Sequence, residues 1–231
     1  MSKTAGEKSH FASNSRPRRV TAGGPFTLLR KSFFLLFLLL SSADSFAHPM
    51  GNFSVNRWTR LSPRAGGIDV THVIDLAEIP TQKALSESGL TSAPQGAALA
   101  KLRDAFVARF APGLVLIVDG TPVPLEAVGS TLEFASGVAD LPTARLTIDL
   151  AAEVAAHAGK PGEAAISFSD TNFEGRAGWK EIIAAAGKGA RILAASVPAT
   201  DRSRRLTEFS SDPAQPPSEV TTAALRVRFG L

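Results

Sequence analysis

The chain has 231 residues, enough for one ordinary domain plus a leader or tail. Its formal charge of +4 comes from the amino-terminal end: residues 1–47 hold seven Lys/Arg (Lys3, Lys8, Arg16, Arg18, Arg19, Arg30, Lys31) against Glu7 and Asp44, leaving 18 basic and 19 acidic residues from 48 onward, a net of −1. That balance argues against a nucleic-acid footprint on the domain, and the absence of cysteine excludes disulfides, thiolate metal sites and cysteine nucleophiles.

Residues 1–31 are polar and basic. Arg30-Lys31 then precede Ser32 and the apolar run Phe33–Leu40, followed by Ser41-Ser42-Ala43-Asp44 and the small-x-small triplet Ser45-Phe46-Ala47. This is the order of a secretory signal peptide, with a cut expected after Ala47. The run is short of the roughly 20 residues that a spanning helix needs; the alternative is an uncleaved inner-membrane anchor. The expected compartment is periplasmic or extracytoplasmic.

From residue 48 the pattern is mostly that of strands. Asn52 to Arg60 reads as an opening strand and Pro63 to Gly67 as a turn. Ile68, Val70, His72, Ile74 and Leu76 alternate with Asp69, Thr71 and Asp75, the period of a half-buried strand. Thr81 to Leu90 reads as a short helix after Pro80. A longer helix is expected from Pro94 to Phe110, where Leu99, Leu102, Phe106, Val107 and Phe110 recur at helical spacing. Leu114 to Val118 is a strand leading into an Asp119-Gly120 hairpin turn. Further strands are expected at 130–139, 144–151, 163–169, 179–186, 190–197 and 224–229.

Strands at short intervals without regular intervening helices point to a mainly β, α+β fold: an antiparallel β-sandwich-like domain with one or two inserted helices. The expected organisation is a leader at 1–47, the exported domain at 48–197, a Pro/Ser-rich loop or linker at 198–221 and a terminal strand at 222–231.

Chemistry-bearing residues are few. Cleavage after Ala47 would leave His48 as a free amino terminus, whose α-amine and imidazole can chelate a transition metal together. Pro49 has no amide proton, which closes the deprotonated-amide mode that nickel and copper favour at peptide ends, so further ligands must come from the fold. Asp75 and Glu78 can supply carboxylate oxygens; their alternative roles are a solvated strand end and a helix cap. His72 lies on the apolar phase of its strand and reads as a packed core histidine, and His157 as a solvated loop residue.

The stretch Asp170 to Ile182 combines two turn-permitting glycines, Gly175 and Gly178, a large anchor in Trp179, and Arg176 in reach of Asp170 or Glu174. No G-x-S-x-G elbow or phosphate-binding glycine loop is present, and a copper monooxygenase would have to find a second histidine in His72 or His157. A non-catalytic protein is expected.

Three separated stretches, Ala47-His48-Pro49-Met50-Gly51-Asn52-Phe53-Ser54-Val55-Asn56, Val73-Ile74-Asp75-Leu76-Ala77-Glu78-Ile79-Pro80-Thr81, and Asn172 to Ile182 with its Gly-Trp-Lys-Glu-Ile core, resemble the extracytoplasmic amino-terminal domain of the nickel/cobalt exporter (NicO-like) family. In that family the domain precedes a polytopic permease, so the resemblance implies association with nickel or cobalt efflux beside a membrane permease. Together with the leader and the free His48, it leads to the expectation of a nickel or cobalt ion held at His48 with Asp75 or Glu78 nearby. Two departures stand out: no apolar run of spanning length follows the leader, and Arg57 and Trp58 occupy positions where relatives tend to carry a His and a Tyr. The competing expectation is a structural or interaction module that docks on a membrane partner without binding metal.

Overall fold

The computed structural model describes residues 51–154, 162–209 and 216–230. The expected leader at 1–47, His48 and His157 lie outside the described residues. Ten strands and two helices follow in order: β1 (Val55–Arg64), β2 (Gly67–Leu76), α1 (Glu78–Glu87), α2 (Gly96–Phe110), β3 (Leu114–Val118), β4 (Thr121–Val123), β5 (Glu126–Ser136), β6 (Pro142–Glu153), β7 (Gly162–Asp170), β8 (Lys180–Ala184), β9 (Ala190–Ala195) and β10 (Thr222–Phe229).

They form two five-stranded sheets, β5-β6-β2-β1-β8 and β4-β3-β7-β10-β9. All pairings are antiparallel except β1 with β8. The mainly β, α+β sandwich-like expectation holds, with both helices inserted between β2 and β3.

Alternation places one apolar row of each strand between the sheets. From the first sheet come Val55, Leu61, Val70, Ile74, Ile148 and Leu150, and from the second Leu116, Ile166, Phe168, Leu225, Val227 and Phe229. Each such side chain contributes about 1.5–3 kcal/mol by leaving water. Helix α2 adds Leu102, Phe106 and Phe110, four residues apart on one face, and Phe110 meets Phe173 at a ring separation of 4.9 Å.

Local chemistry sets several boundaries. Asp119 and Gly120 both have positive φ (48° and 80°), the geometry of a two-residue hairpin turn matched to strand twist. Helix α1 starts three residues earlier than the apolar spacing suggests, at Glu78, because a proline is tolerated in the first turn, where its missing N–H has no helical partner. Strand β1 runs through Pro63 to Arg64, and the turn contracts to Ala65-Gly66.

Strand β1 is buried on both faces. Its inner row enters the sandwich. Its outer row puts Trp58 against Val73, Trp179, Ile183 and Leu206, a second apolar cluster with Phe209 packed on it. Leu206 and Phe209 belong to the stretch expected as linker, and residues 216–220 of the same stretch extend the edge of β8, where Lys180 N–H donates to Ser218 O and Val220 N–H to Lys180 O.

One glycine fixes the join between β1 and β8. Gly178 has φ of 143°, and a Cβ there would lie 2.2 Å from Val55 O. Gly175, with φ of 72°, has open space around it. Gly178→Ala is therefore expected to destabilise by roughly 3 kcal/mol or more, from strain plus displacement of β1, and Gly175→Ala by only about 1–2 kcal/mol. Urea midpoints of the two variants check the ordering.

Candidate functional site

The three stretches that carry the family resemblance, far apart in the chain, meet at one end of the sandwich. The segment leading into β1 is held on one side by α1: Ala77 N–H donates to Ser54 O and Ile79 N–H to Asn52 O. On the other side it is held by the β7–β8 connection, where Val55 N–H donates to Ala177 O, Arg57 N–H to Trp179 O, and Trp179 N–H to Asn56 Oδ1 at 2.8 Å.

Behind this junction lies a buried ionic centre. Arg57 Nε is 3.1 Å from Asp170 Oδ2, with the two side chains 3% and 4% exposed, so the pair bridges the two sheets. It is an ion pair without a hydrogen bond: Arg57 Nε and Nη1 have no hydrogen-bond partner. Burial lowers the Arg57 pKa from its ordinary value, and Asp170 and Glu219 oppose that shift. Asp170 Oδ1 accepts from Asn172 N and Asn172 Nδ2, and Asn172 Nδ2 also donates to Phe110 O at the end of α2. Lys180 pairs with Glu219 alongside.

His72 is fully buried on the inner face, its Nδ1 2.9 Å from Thr59 Oγ1 and its Nε2 without a partner. Burial pushes its pKa down to about 4; Asp170 favours the charged form and Arg57 opposes it. It is the packed core histidine that its strand phase indicates.

Around the ionic centre the surface is open and partly apolar. Phe53 is 65% exposed and Ile79 38%. A separate cleft of about 280 Å³ is lined by Leu76, Pro80, Phe173 and Arg176, with Lys83 and Arg109 at its helical side. Glu87 in the same cleft is paired with Arg109 at 3.0 Å, and that contact holds its carboxyl below the usual range.

The proposed metal ligands do not form a preassembled set. Asp75 lies on the outer face of β2, 4.0 Å from Arg145. Glu78 is buried in the first turn of α1, where Oε1 accepts from Val138 N–H at 2.9 Å and Oε2 makes no hydrogen bond. His48 lies outside the described residues, and among the described residues no group of three or more His, Asp or Glu is placed to hold a metal ion. Arg176, expected to pair with Asp170 or Glu174, is exposed; Arg57 takes Asp170 instead.

Comparison of the chain with models of known protein families, and with curated proteins, finds no match. The functional reading therefore rests on the residues themselves and on the resemblance of the three stretches.

Two features at this end escape the sequence pattern. Arg57 shares its phase of β1 with the inward-facing Val55 and Leu61, and its pairing with Asp170 leaves no periodic trace in the sequence. Phe53 reads as the first apolar residue of a strand, yet β1 begins at Val55 and leaves it outside.

Removing one member of the ion pair leaves the other charge buried. Arg57→Met or Asp170→Leu alone is expected to cost about 3–5 kcal/mol, and the double variant less than either single one, as a chemical-denaturation double-mutant cycle will show. The neutral burial of His72 gives a second expectation. The unfolded imidazole takes up its proton near pH 6.5 and the folded one only near 4. Stability from this residue is thus complete above pH 6.5, falls by about 3 kcal/mol as pH drops to 4, and falls no further below that. Unfolding midpoints measured across this range should show that slope, and His72→Asn should flatten it.

Proposed function

We propose that this is a non-catalytic exported domain that works beside a membrane permease of nickel or cobalt efflux, docking on it through the end where the three stretches meet. The observation that carries this reading is the exposure of Phe53 in the middle of that end. The backbone on both sides is fixed by Ala77, Ile79 and Ala177, yet a large aromatic side chain is left in water with Ile79 beside it. Arg176 supplies a cation at the rim.

Direct metal binding is the second reading. It is favoured by the Ile79–Asn52 hydrogen bond, which brings the chain four residues past His48 against the first turn of α1, next to Glu78. The two readings separate experimentally. Capture from native membranes with the mature protein as bait should recover a NicO-like permease, identified by mass spectrometry. Phe53→Asp and Arg176→Ala should each lose it at least tenfold while retaining the wild-type unfolding midpoint; unchanged capture by both variants would remove the docking role. For the metal reading, calorimetric titration of nickel and cobalt into protein beginning at His48 should give heat that His48→Ala abolishes. Equal, negligible heats from both would end it.

A further inference from the structure

The stretch Asp201–Phe209 lies over the outer face of β1 and β8 without joining either sheet. Its apolar seats are Leu206, buried among Trp58, Val73, Trp179 and Ile183, and Phe209, edge-on to Trp179 at 5.7 Å. Its polar attachments run through two carboxylates and through Arg145 of β6, whose Nη2 donates to Arg205 O. Glu181, buried in β8, accepts from Trp179 Nε1 at 2.8 Å, from Arg202 N–H at 2.7 Å and from Ser203 N–H at 3.2 Å. Asp201 accepts from Trp58 Nε1 and from Arg205 N–H, both at 3.1 Å. The guanidinium groups of Arg202 and Arg205 sit over the Trp179 and Trp58 rings at 5.2 and 5.6 Å.

Inside this stretch Arg204, Arg205 and Leu206 have φ of 45°, 59° and 66°. Three successive non-glycine residues in the left-handed region are strained, because each Cβ crowds the following carbonyl. Such a turn persists only while its surroundings hold it. Here they do so by side-chain seats, by the contacts from Glu181, Trp58 and Arg145, and by a few hydrogen bonds within the segment, Thr207 and Glu208 N–H to Ser203 O and Leu206 N–H to Ser203 Oγ, with no ladder to a neighbouring strand. None of the strand pairings of the sandwich beneath runs through this segment.

We propose that residues 201–209 are a displaceable strap: they release as a unit from the folded sandwich and uncover the apolar strip of Trp58, Val73, Trp179 and Ile183. The strain of the left-handed turn favours release, and the Glu181 and Asp201 acceptors with the Leu206 seat favour closure. The inference stands independently of permease docking, since it concerns a different face and needs no partner.

The chain supplies its own reporter: its two tryptophans, Trp58 and Trp179, both lie under the strap, and it has no tyrosine. Native-state hydrogen exchange should show the amides of Arg202, Ser203, Leu206, Thr207 and Glu208 opening about a hundredfold more readily than those of β1 and β2, with little dependence on denaturant. Leu206→Ala and Glu181→Gln should each raise iodide quenching of tryptophan fluorescence at least twofold at denaturant concentrations where far-ultraviolet circular dichroism is still native. If the strap amides of the wild-type protein exchange only with global unfolding, at the same level as β1 and β2, the strap is a fixed part of the core and the proposal is overturned, whatever the variants do.

Discussion

The contact on which the rest depends is the ion pair between Arg57 and Asp170. It is the point at which charge, not apolar packing, joins the two sheets. A bare charge in that space would cost several kcal/mol, so each partner fixes the position of the other. Asp170 passes the constraint onward: its other oxygen organises Asn172, and Asn172 closes the end of α2. Arg57 passes it back along β1, whose backbone is tied to both α1 and the β7–β8 connection. A mutually dependent junction of this kind restrains the end of the sandwich at which Phe53 is exposed.

The same strand serves two faces with different chemistry. Inward, β1 presents Arg57 and Thr59 toward Asp170 and His72; outward, it presents Trp58 to the segment at 201–209. The short β8 does likewise, with Lys180 bound to Glu219 and Glu181 receiving Trp179 and the strap. The Gly-Trp-Lys-Glu-Ile stretch is thus explained residue by residue. The glycine permits close approach to β1, the tryptophan and glutamate seat the strap, the lysine fastens the β8 edge, and the isoleucine enters the core.

What the sequence disclosed follows from which forces are local. Alternation along 68–76 and 144–151 announced half-buried strands because side-chain direction is set within the strand itself. The apolar face of α2 was legible for the same reason, and His72 declared its burial by its phase. The start of α1 was misplaced because Pro80 looks like a stop but fits a first turn. The stretch 198–221 looked like a linker because proline, serine and arginine dominate it, and composition does not reveal that Leu206 and Phe209 meet two tryptophans from elsewhere in the chain. Among the site residues, Trp179 was recognisable as an anchor from size alone. The partners of Arg57, Glu78 and Glu181 were not, since each is reached through tertiary contact and leaves no periodic trace.

The parallel pairing of β1 with β8 sets the order in which the molecule can be assembled. The first strand among the described residues sits between β2 and β8, so its second neighbour does not exist until residues 180–184 have been made, and contacts of such long sequence separation are slow to close. Until then β1, with its unsatisfied arginine and its tryptophan, has a hairpin partner in β2 but no closed sheet. A chain built this way holds off its final compaction until nearly all of the described domain has been made.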